Sequence, residues 1–372
     1  MAIKRGYLAL FTGFVLGIIV SALISSIYMR TTGSTVIVGK PKRIEIVFLY
    51  SSEKQGWLEE VTPEFEKEFY QRFGIMIDVK LVPAGSHESV DMILRGYKPT
   101  IWSPASSIWI PYLNEKWKEE HGTLIAKDWV PIVYSPIVIA GWRDFVEKYN
   151  IASFMDIYHL VKNGVKIKWG HTDPRLSNSG TMITILEFAE AAGKEPDKLT
   201  VKDITNETVL NIVRTIESAA VAYGKSTGFF GAWAVESGPQ AITLFGVYEN
   251  IVIEHSLDAK KRWGEELVAI YPRFGTLYSD HPFVILDADW INEWQRFAAL
   301  QYLYFLLRAD IQMKAQAHGF RPVNPSVPLD TNIFSKRNGV QSEIHVRVFR
   351  PPSGKVLDAI LSLWEKVKNP GV

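Results

Sequence analysis

The 372 residues exceed the usual size of one hydrophobic core, so two cores are expected, and a hydrophobic fraction of 47% is enough to fill them. Lys and Arg number 41 against 40 Asp and Glu with no long run of either sign, which excludes the electrostatic footprint of a nucleic-acid binder. The absence of cysteine excludes disulfides, thiolate metal sites, iron–sulfur clusters and a cysteine nucleophile.

No residue between Arg5 and Arg30 is charged, and the run from Tyr7 to Tyr28 is long enough to cross about 30 Å of hydrocarbon as a helix. Lys4 and Arg5 precede it, so the positive-inside rule puts the N-terminus in the cytoplasm and everything after the run outside, with Arg30 a minor contrary vote. The expectation is one N-terminal transmembrane helix, residues 1–30, anchoring an extracellular globular part at the cell membrane. A cleaved secretory signal is the alternative, although the run exceeds the usual apolar region of a signal peptide and ends without a clear small-residue cleavage site. Lys4-Arg5-Gly6 also resembles the short basic leader of archaeal pilin-like precursors, which would be cut after Gly6 and leave the helix in place. Residues 31–41 are small and polar and read as a linker.

Ile44–Tyr50 is a short, apolar, β-rich run of the kind found in a buried parallel strand, and the polar loop Ser51–Gly56 follows it. Thr62 and Pro63 read as the N-cap and first position of a helix that carries Phe65, Phe69 and Phe73 on one face and stops at Gly74. Ile75–Val82 is the next strand, Gly85-Ser86 opens a helix, and Thr100–Trp102 leads into a third polar turn that begins at Ser103. After Tyr134 the pattern repeats. Strands are expected at Val138–Ala140 and Val165–Trp169, then a polar stretch Gly170–Gly180, helices at Thr181–Ala192 and Val209–Tyr223, and strands at Ala241–Val247 and Ile251–Glu254. Trp290–Leu307 reads as a long helix with a core-facing aromatic stripe. Polar turns after successive strands are what an open parallel sheet uses to place ligand contacts beyond its carboxyl ends.

The chain carries no H-E-x-x-H, G-x-S-x-G or G-x-x-x-x-G-K-[ST] motif, so neither catalysis nor a bound cofactor is expected. His171 and Asp173 lack a third ligand at metal spacing and read as structural, with no metal assigned. Trp102 and Trp169 stand at strand ends, where an indole either stacks on a cyclic ligand or packs in the core.

The succession IEIVFLYSS, VPAGSHES, KPTIWSPASSIW, KWGHTDPRLSNSGTM, AITLFGVYEN, SDHPFVIL and QMKAQAHGFRPVNP, from about Lys42 to Pro325, resembles the type II periplasmic solute-binding proteins, in particular their molybdate-binding-like branch. WGHTDPRLSNSG and GFRPVNP are closer still to solute-binding domains fused elsewhere to von Willebrand A domains, a module whose D-x-S-x-S metal motif this chain lacks. The resemblance implies an α/β, two-lobed type II periplasmic-binding-protein fold, each lobe a mostly parallel sheet flanked by helices. One lobe would comprise 42–135 plus 280–372 and the other 136–279. It further implies an extracellular protein that captures a small polar solute, an oxyanion, sugar or similar, and delivers it to the permease subunits of an ABC importer. A cell-surface structural or adhesive protein on the same fold is the alternative.

Carried onto this chain, the ligand contacts of the molybdate-binding relatives fall at Ser51 or Ser52, at Ser86, at Ser179 with Gly180, and at Tyr248. The residues supply their own reasons. Ser51, Ser52 and Ser103 follow strands, where a hydroxyl meets either a ligand or a turn. Ser86 opens a helix whose N–H groups and positive dipole end favour an anion or carbonyl oxygen, or simply a cap. Ser177-Asn178-Ser179-Gly180-Thr181 gathers three hydroxyls, an amide and a glycine before a helix. Glu249 beside Tyr248 would repel an oxyanion unless it points away or is paired, and it would suit a cationic group, a sugar hydroxyl or a metal.

Overall fold

The computed structural model describes residues 39–368. The run from Tyr7 to Tyr28 lies outside them, and among the described residues no helix is long and apolar enough to cross a membrane.

The chain begins with β1 (Arg43–Ser51), which enters helix α1 (Gln55–Phe73) through one turn of 3-10 helix at Ser52–Lys54. Strand β2 (Met76–Ala84), helix α2 (Ser86–Leu94), strand β3 (Ile101–Ser103) and helix α3 (Trp109–His121) continue the alternation. Helix α1 starts well before the expected Thr62 and carries Pro63 in its interior. Trp57, Leu58 and Val61 prolong the buried face formed by Phe65 and Phe69, so packing extends the helix across a residue that cannot donate its N–H. Gly74 stops it in the left-handed conformation, its N–H bonded to the Tyr70 carbonyl at 2.7 Å.

Short β4 (Val130–Pro131) is followed after Ile132 by β5 (Val133–Trp142), and at that point the chain leaves one sheet for another. Apart from short helical turns at Pro196–Lys198 and Val201–Ile204, the next elements are helices α4 (Arg143–Tyr149) and α5 (Phe154–Lys162), β6 (Trp169–Thr172), α6 (Asn178–Ala192), α7 (Glu207–Glu217), β7 (Ala220–Gly224), α8 (Thr227–Ser237), β8 (Leu244–Tyr248) and α9 (Glu249–Trp263). After them come β9 (Leu267–Ile270), β10 (Tyr278–Ser279), β11 (Pro282–Ile285), helices α10 (Glu293–Leu306) and α11 (Ala309–Ala317), β12 (Arg321–Pro322) and the last helix, α12 (Gly354–Lys368).

The first sheet runs β2-β1-β3-β11-β4, with β1 parallel to β2 and β3 and with β11 antiparallel to β3 and β4. The second runs β10-β5-β8-β6-β7, with β9 and β12 also paired to β5. The expectation of mostly parallel sheets fails for this second one. Every partner of β5 is antiparallel, and only the β6 pairs with β7 and β8 are parallel, because β5 enters from the other sheet and crosses the returning strands head to tail. Strand direction is set by such crossings, which no local periodicity records.

Other expectations shift as well. The β-branched run Ile251–Glu254 lies in helix α9 rather than in a strand. The stretch expected as one helix to Tyr223 is α7 followed by strand β7. The tail expected with the first sheet packs on the second: Phe334 and Val340 join the core beside Val138 and Phe245, and Ile360 and Trp364 of α12 join that of Ile183 and Trp169. Both Trp102 and Trp169 are fully buried in cores, which leaves neither indole a ligand to stack on.

Candidate functional site

Register brings the expected residues of the first sheet to one edge. Tyr50 pairs with Ser103 and Ser51 with Ala84, so the carboxyl ends of β1, β2 and β3 release the Ser51–Lys54 turn, the Gly85-Ser86 start of α2 and the Ser103 turn side by side. The second sheet sends toward them the N-termini of α6, α8 and α9, which follow β6, β7 and β8.

The two sets of loops meet along a seam. The Gly228 N–H, at the start of α8, donates to Ser52 Oγ at 3.1 Å, and Trp109 Nε1 of α3 donates to Asn178 Oδ1 at 2.8 Å. His87 and Glu88 N–H groups, in the first turn of α2, both donate to the Leu176 carbonyl, at 3.0 and 3.1 Å. Gly85 permits that approach, since a Cβ there would lie 2.4 Å from the Leu176 oxygen.

Around this seam Ser51, Ser52, Ser86, Ser103, Ser177, Asn178, Ser179, Tyr248 and Glu249 are all buried. Asn178 Nδ2 donates to the Tyr248 hydroxyl at 2.8 Å and to Ser279 Oγ at 3.2 Å. Ser179 Oγ accepts from Thr227 Oγ1 and pairs with Thr172 Oγ1, each at 2.8 Å, while Ser177 Oγ lies 3.2 Å from Thr227 Oγ1. Ser86 Oγ accepts from the Ala105 N–H at 2.9 Å. Among the described residues Ser103 Oγ and Ser226 Oγ are buried without a hydrogen-bond partner. Burial, with the charge of Glu53 behind it, pushes the Tyr248 phenol far above its ordinary range, so it stays a neutral donor and acceptor.

Two expected residues have other work. Gly180 gives its N–H to Thr172 Oγ1, and a Cβ on it would lie 1.9 Å from the Thr172 carbonyl oxygen, so packing of α6 on β6 requires the glycine. Glu249 turns away from the hydroxyls and takes a fork of hydrogen bonds from Arg321, at 2.8 and 2.9 Å, plus one from the Tyr271 hydroxyl. Its charge is thus matched inside the protein.

Sequence reasoning missed the charged centre of the seam. Glu53 and Lys54 have side chains at most 1% exposed. Lys54 Nζ donates to Ser51 Oγ and lies 3.6 Å from Glu53 Oε1 and 3.3 Å from His281 Nδ1, and that ring nitrogen is 3.2 Å from Glu53 Oε1. Burial pushes Glu53 up, but the Lys54 ammonium and the hydrogen bonds from His281 and Ser51 outweigh it and hold the carboxyl at about 2. Burial pulls Lys54 down to about 8 against the pull of Glu53, and burial with the Lys54 charge lowers His281 as well. His281 sits where the chain crosses back between sheets, in the left-handed region at φ 38°, which a non-glycine residue adopts only under constraint.

The signals were present in part. Glu53-Lys54 lies inside the Ser51–Gly56 loop, and Ser279 and His281 lie in the SDHP piece. Lys225-Ser226-Thr227-Gly228 repeats the strand–hydroxyl–glycine–helix pattern of Ser177–Gly180, but reading β7 as helix concealed the strand before it.

Chemically the seam offers hydroxyls that rotate to donate or accept, one amide, one ammonium and the N-termini of α2, α6 and α8, all withdrawn from water. A model of the bacterial extracellular solute-binding proteins matches residues 46–321. The chain belongs to that family. Among solved structures, this solute-binding protein is similar to a periplasmic thiamin binding protein (12% identity, TM-score 0.61, covering 90% of this chain and 99% of the other). It is also similar to the sulfate-binding protein SubI from Mycobacterium tuberculosis H37Rv (17%, 0.55, 88% and 99%). A third is the substrate binding protein of an ABC transporter from Agrobacterium tumefaciens (12%, 0.59, 89% and 96%). At such identities the likeness establishes the periplasmic-binding-protein fold and leaves the ligand open. No curated relative matches the sequence.

Proposed function

We propose that this protein captures a small, oxygen-rich polar solute, foremost an anion, between two lobes and presents it to the permease of an ABC importer. The two sheets are read as the lobes. One is built from residues 42–135 and the segment from about 280 to 330, the other from 136–279 together with the C-terminal tail. The N-terminal apolar run is read as the tether that holds both at the outer face of the membrane, which membrane fractionation of the native protein tests.

The observation that carries this reading is the seam itself. Hydroxyls and amides from loops of both sheets converge there, and a ligand bound by both favours the closed over the open arrangement by its differential affinity. The Lys54 ammonium and the positive dipole ends of three helices favour negative charge at the seam, and the pairing of Glu249 with Arg321 removes the charge that would repel an oxyanion. An oxyanion of the molybdate class is therefore the first ligand to try.

The test is a thermal-shift screen of the full chain in detergent against molybdate, tungstate, sulfate, phosphate, small carboxylates and sugars. A ligand that binds only the folded state raises the midpoint by mass action. One of the anions is expected to do so. A shift with sugars alone would refute the anion reading, and no shift across all classes would return the protein to the surface-structural alternative.

A further inference from the structure

A second polar cluster lies in the core of the second sheet, away from the seam. Glu187 stands on α6 nine residues beyond Asn178, which at 1.5 Å per residue is about 13 Å along the helix. His171 from β6 and Glu217 from the end of α7 face it, and Trp364 of α12 covers the group. One ligand-type atom from each of His171, Glu187 and Glu217 lies within 4.8 Å of the other two, and all three residues are buried.

The hydrogen bonds around them are uneven. His171 Nδ1 lies 2.7 Å from the Thr172 carbonyl oxygen, which can only accept, so Nδ1 carries a proton and Nε2 is the ring atom that faces the carboxyl groups. Nε2 lies 3.0 Å from Glu217 Oε1. Glu217 is well supplied, with donors from Trp364 Nε1 at 2.9 Å and the Tyr223 hydroxyl at 2.5 Å. Both oxygens of Glu187 are buried with no hydrogen-bond partner among the described residues. Two carboxyl groups and an imidazole nitrogen thus converge, and among the described residues no Lys or Arg side chain is paired to them and Glu187 has no partner.

We propose that His171, Glu187 and Glu217 bind one divalent transition-metal ion, Zn2+ by donor type, as a structural site that fastens α12 to the second sheet. A single ion supplies the partner that both Glu187 oxygens lack and joins Glu187 to His171 Nε2 and Glu217 Oε1. One imidazole and two carboxylates suit zinc better than magnesium or calcium, which take oxygen ligands, and the second oxygen of Glu187 can complete a four-coordinate set. The Thr172 carbonyl on Nδ1 and the Trp364 indole on Glu217 are the outer partners that hold such ligands in orientation. The competing arrangement is a proton shared between Glu187 and Glu217, and the experiment separates the two.

The full chain, purified without added metal and desalted, is assayed for bound metal by mass spectrometry and for midpoint temperature with and without EDTA. About one equivalent of zinc is expected, EDTA should lower the midpoint by about 5 °C or more, and added ZnCl2 should restore it. Glu187→Gln should lose the metal. Metal-free protein whose midpoint ignores both EDTA and ZnCl2 overturns the proposal, and so does a Glu187→Gln variant that keeps the ion. A metal-free Glu187→Gln variant as stable as an equally metal-free wild type identifies the shared proton. The wild-type measurements decide the matter even where the variant fails to fold, and none of them depends on the solute bound at the seam.

Discussion

The seam and the cluster beneath α12 are buried to the same degree and handle charge in opposite ways. At the seam the two fully buried carboxylates each have a cation: Glu53 has Lys54, and Glu249 has the fork of Arg321. Beneath α12, Glu187 and Glu217 share one imidazole. On the readings proposed above, the seam keeps its buried charges matched while its solute comes and goes, whereas the cluster beneath α12 would have its charge matched by one permanent cation. Burial therefore does not separate function from packing. Charge balance at equal burial does.

The comparison breaks most visibly if a matched charge proves dispensable. Arg321→Met strips the partner from a fully buried Glu249, and breaking such a pair costs about 3–5 kcal/mol, read as a lowered urea midpoint. A loss below about 1 kcal/mol would show that the seam tolerates unpaired charge. Gly180→Ala comes next. Its methyl group meets the Thr172 carbonyl and should cost about 1–3 kcal/mol of stability by overpacking, whereas a purely ligand-binding role predicts normal stability and lost affinity.

Lys54 sharpens the comparison through pH. Its ammonium is charged below about 8 and neutral above, so affinity for an anionic solute should fall as pH rises, roughly tenfold between pH 7 and 9, in titration calorimetry. Lys54→Met should bind more weakly at pH 7 and lose the slope, and a wild-type affinity constant from pH 7 to 9 would remove Lys54 from recognition. The smallest effect is expected for Ser179→Ala. Its hydroxyl joins Thr227 and Thr172, so removing it should weaken solute binding by about 0.5–1.5 kcal/mol, and unchanged affinity would leave Ser179 with a role in holding α6 alone.

Much of the seam was legible because its grammar is local. A strand, a hydroxyl-bearing turn and a helix start are written within ten residues, so the family resemblance could be carried onto Ser51, Ser86 and the Ser177–Gly180 stretch, each of which has a local reason of its own. What escaped depends on distance in sequence. The pairing of Glu249 with Arg321 spans 72 residues, and the meeting of Lys54 with His281 spans 227. The direction of β5 follows from where the chain crosses, and the start of α1 follows from the aromatic wall it packs on, which overrode a proline that locally reads as a beginning. Glu187 sits inside an apolar helix, and nothing near it in sequence hints that His171 and Glu217 will stand opposite.

The contact between α2 and Leu176 is made by main-chain atoms alone, two N–H groups on one carbonyl, with Gly85 leaving room for it. Such a fastening is indifferent to the side chains on either side. Ser52, Lys54, Asn178 or Thr227 can be exchanged without loosening it, so preference for one solute over another can change by drift around a fixed clasp. On the reading proposed above, the main-chain clasp is the part of the closure that such exchanges leave in place, whereas exchanging Ser52 or Asn178 also removes a hydrogen bond across the seam.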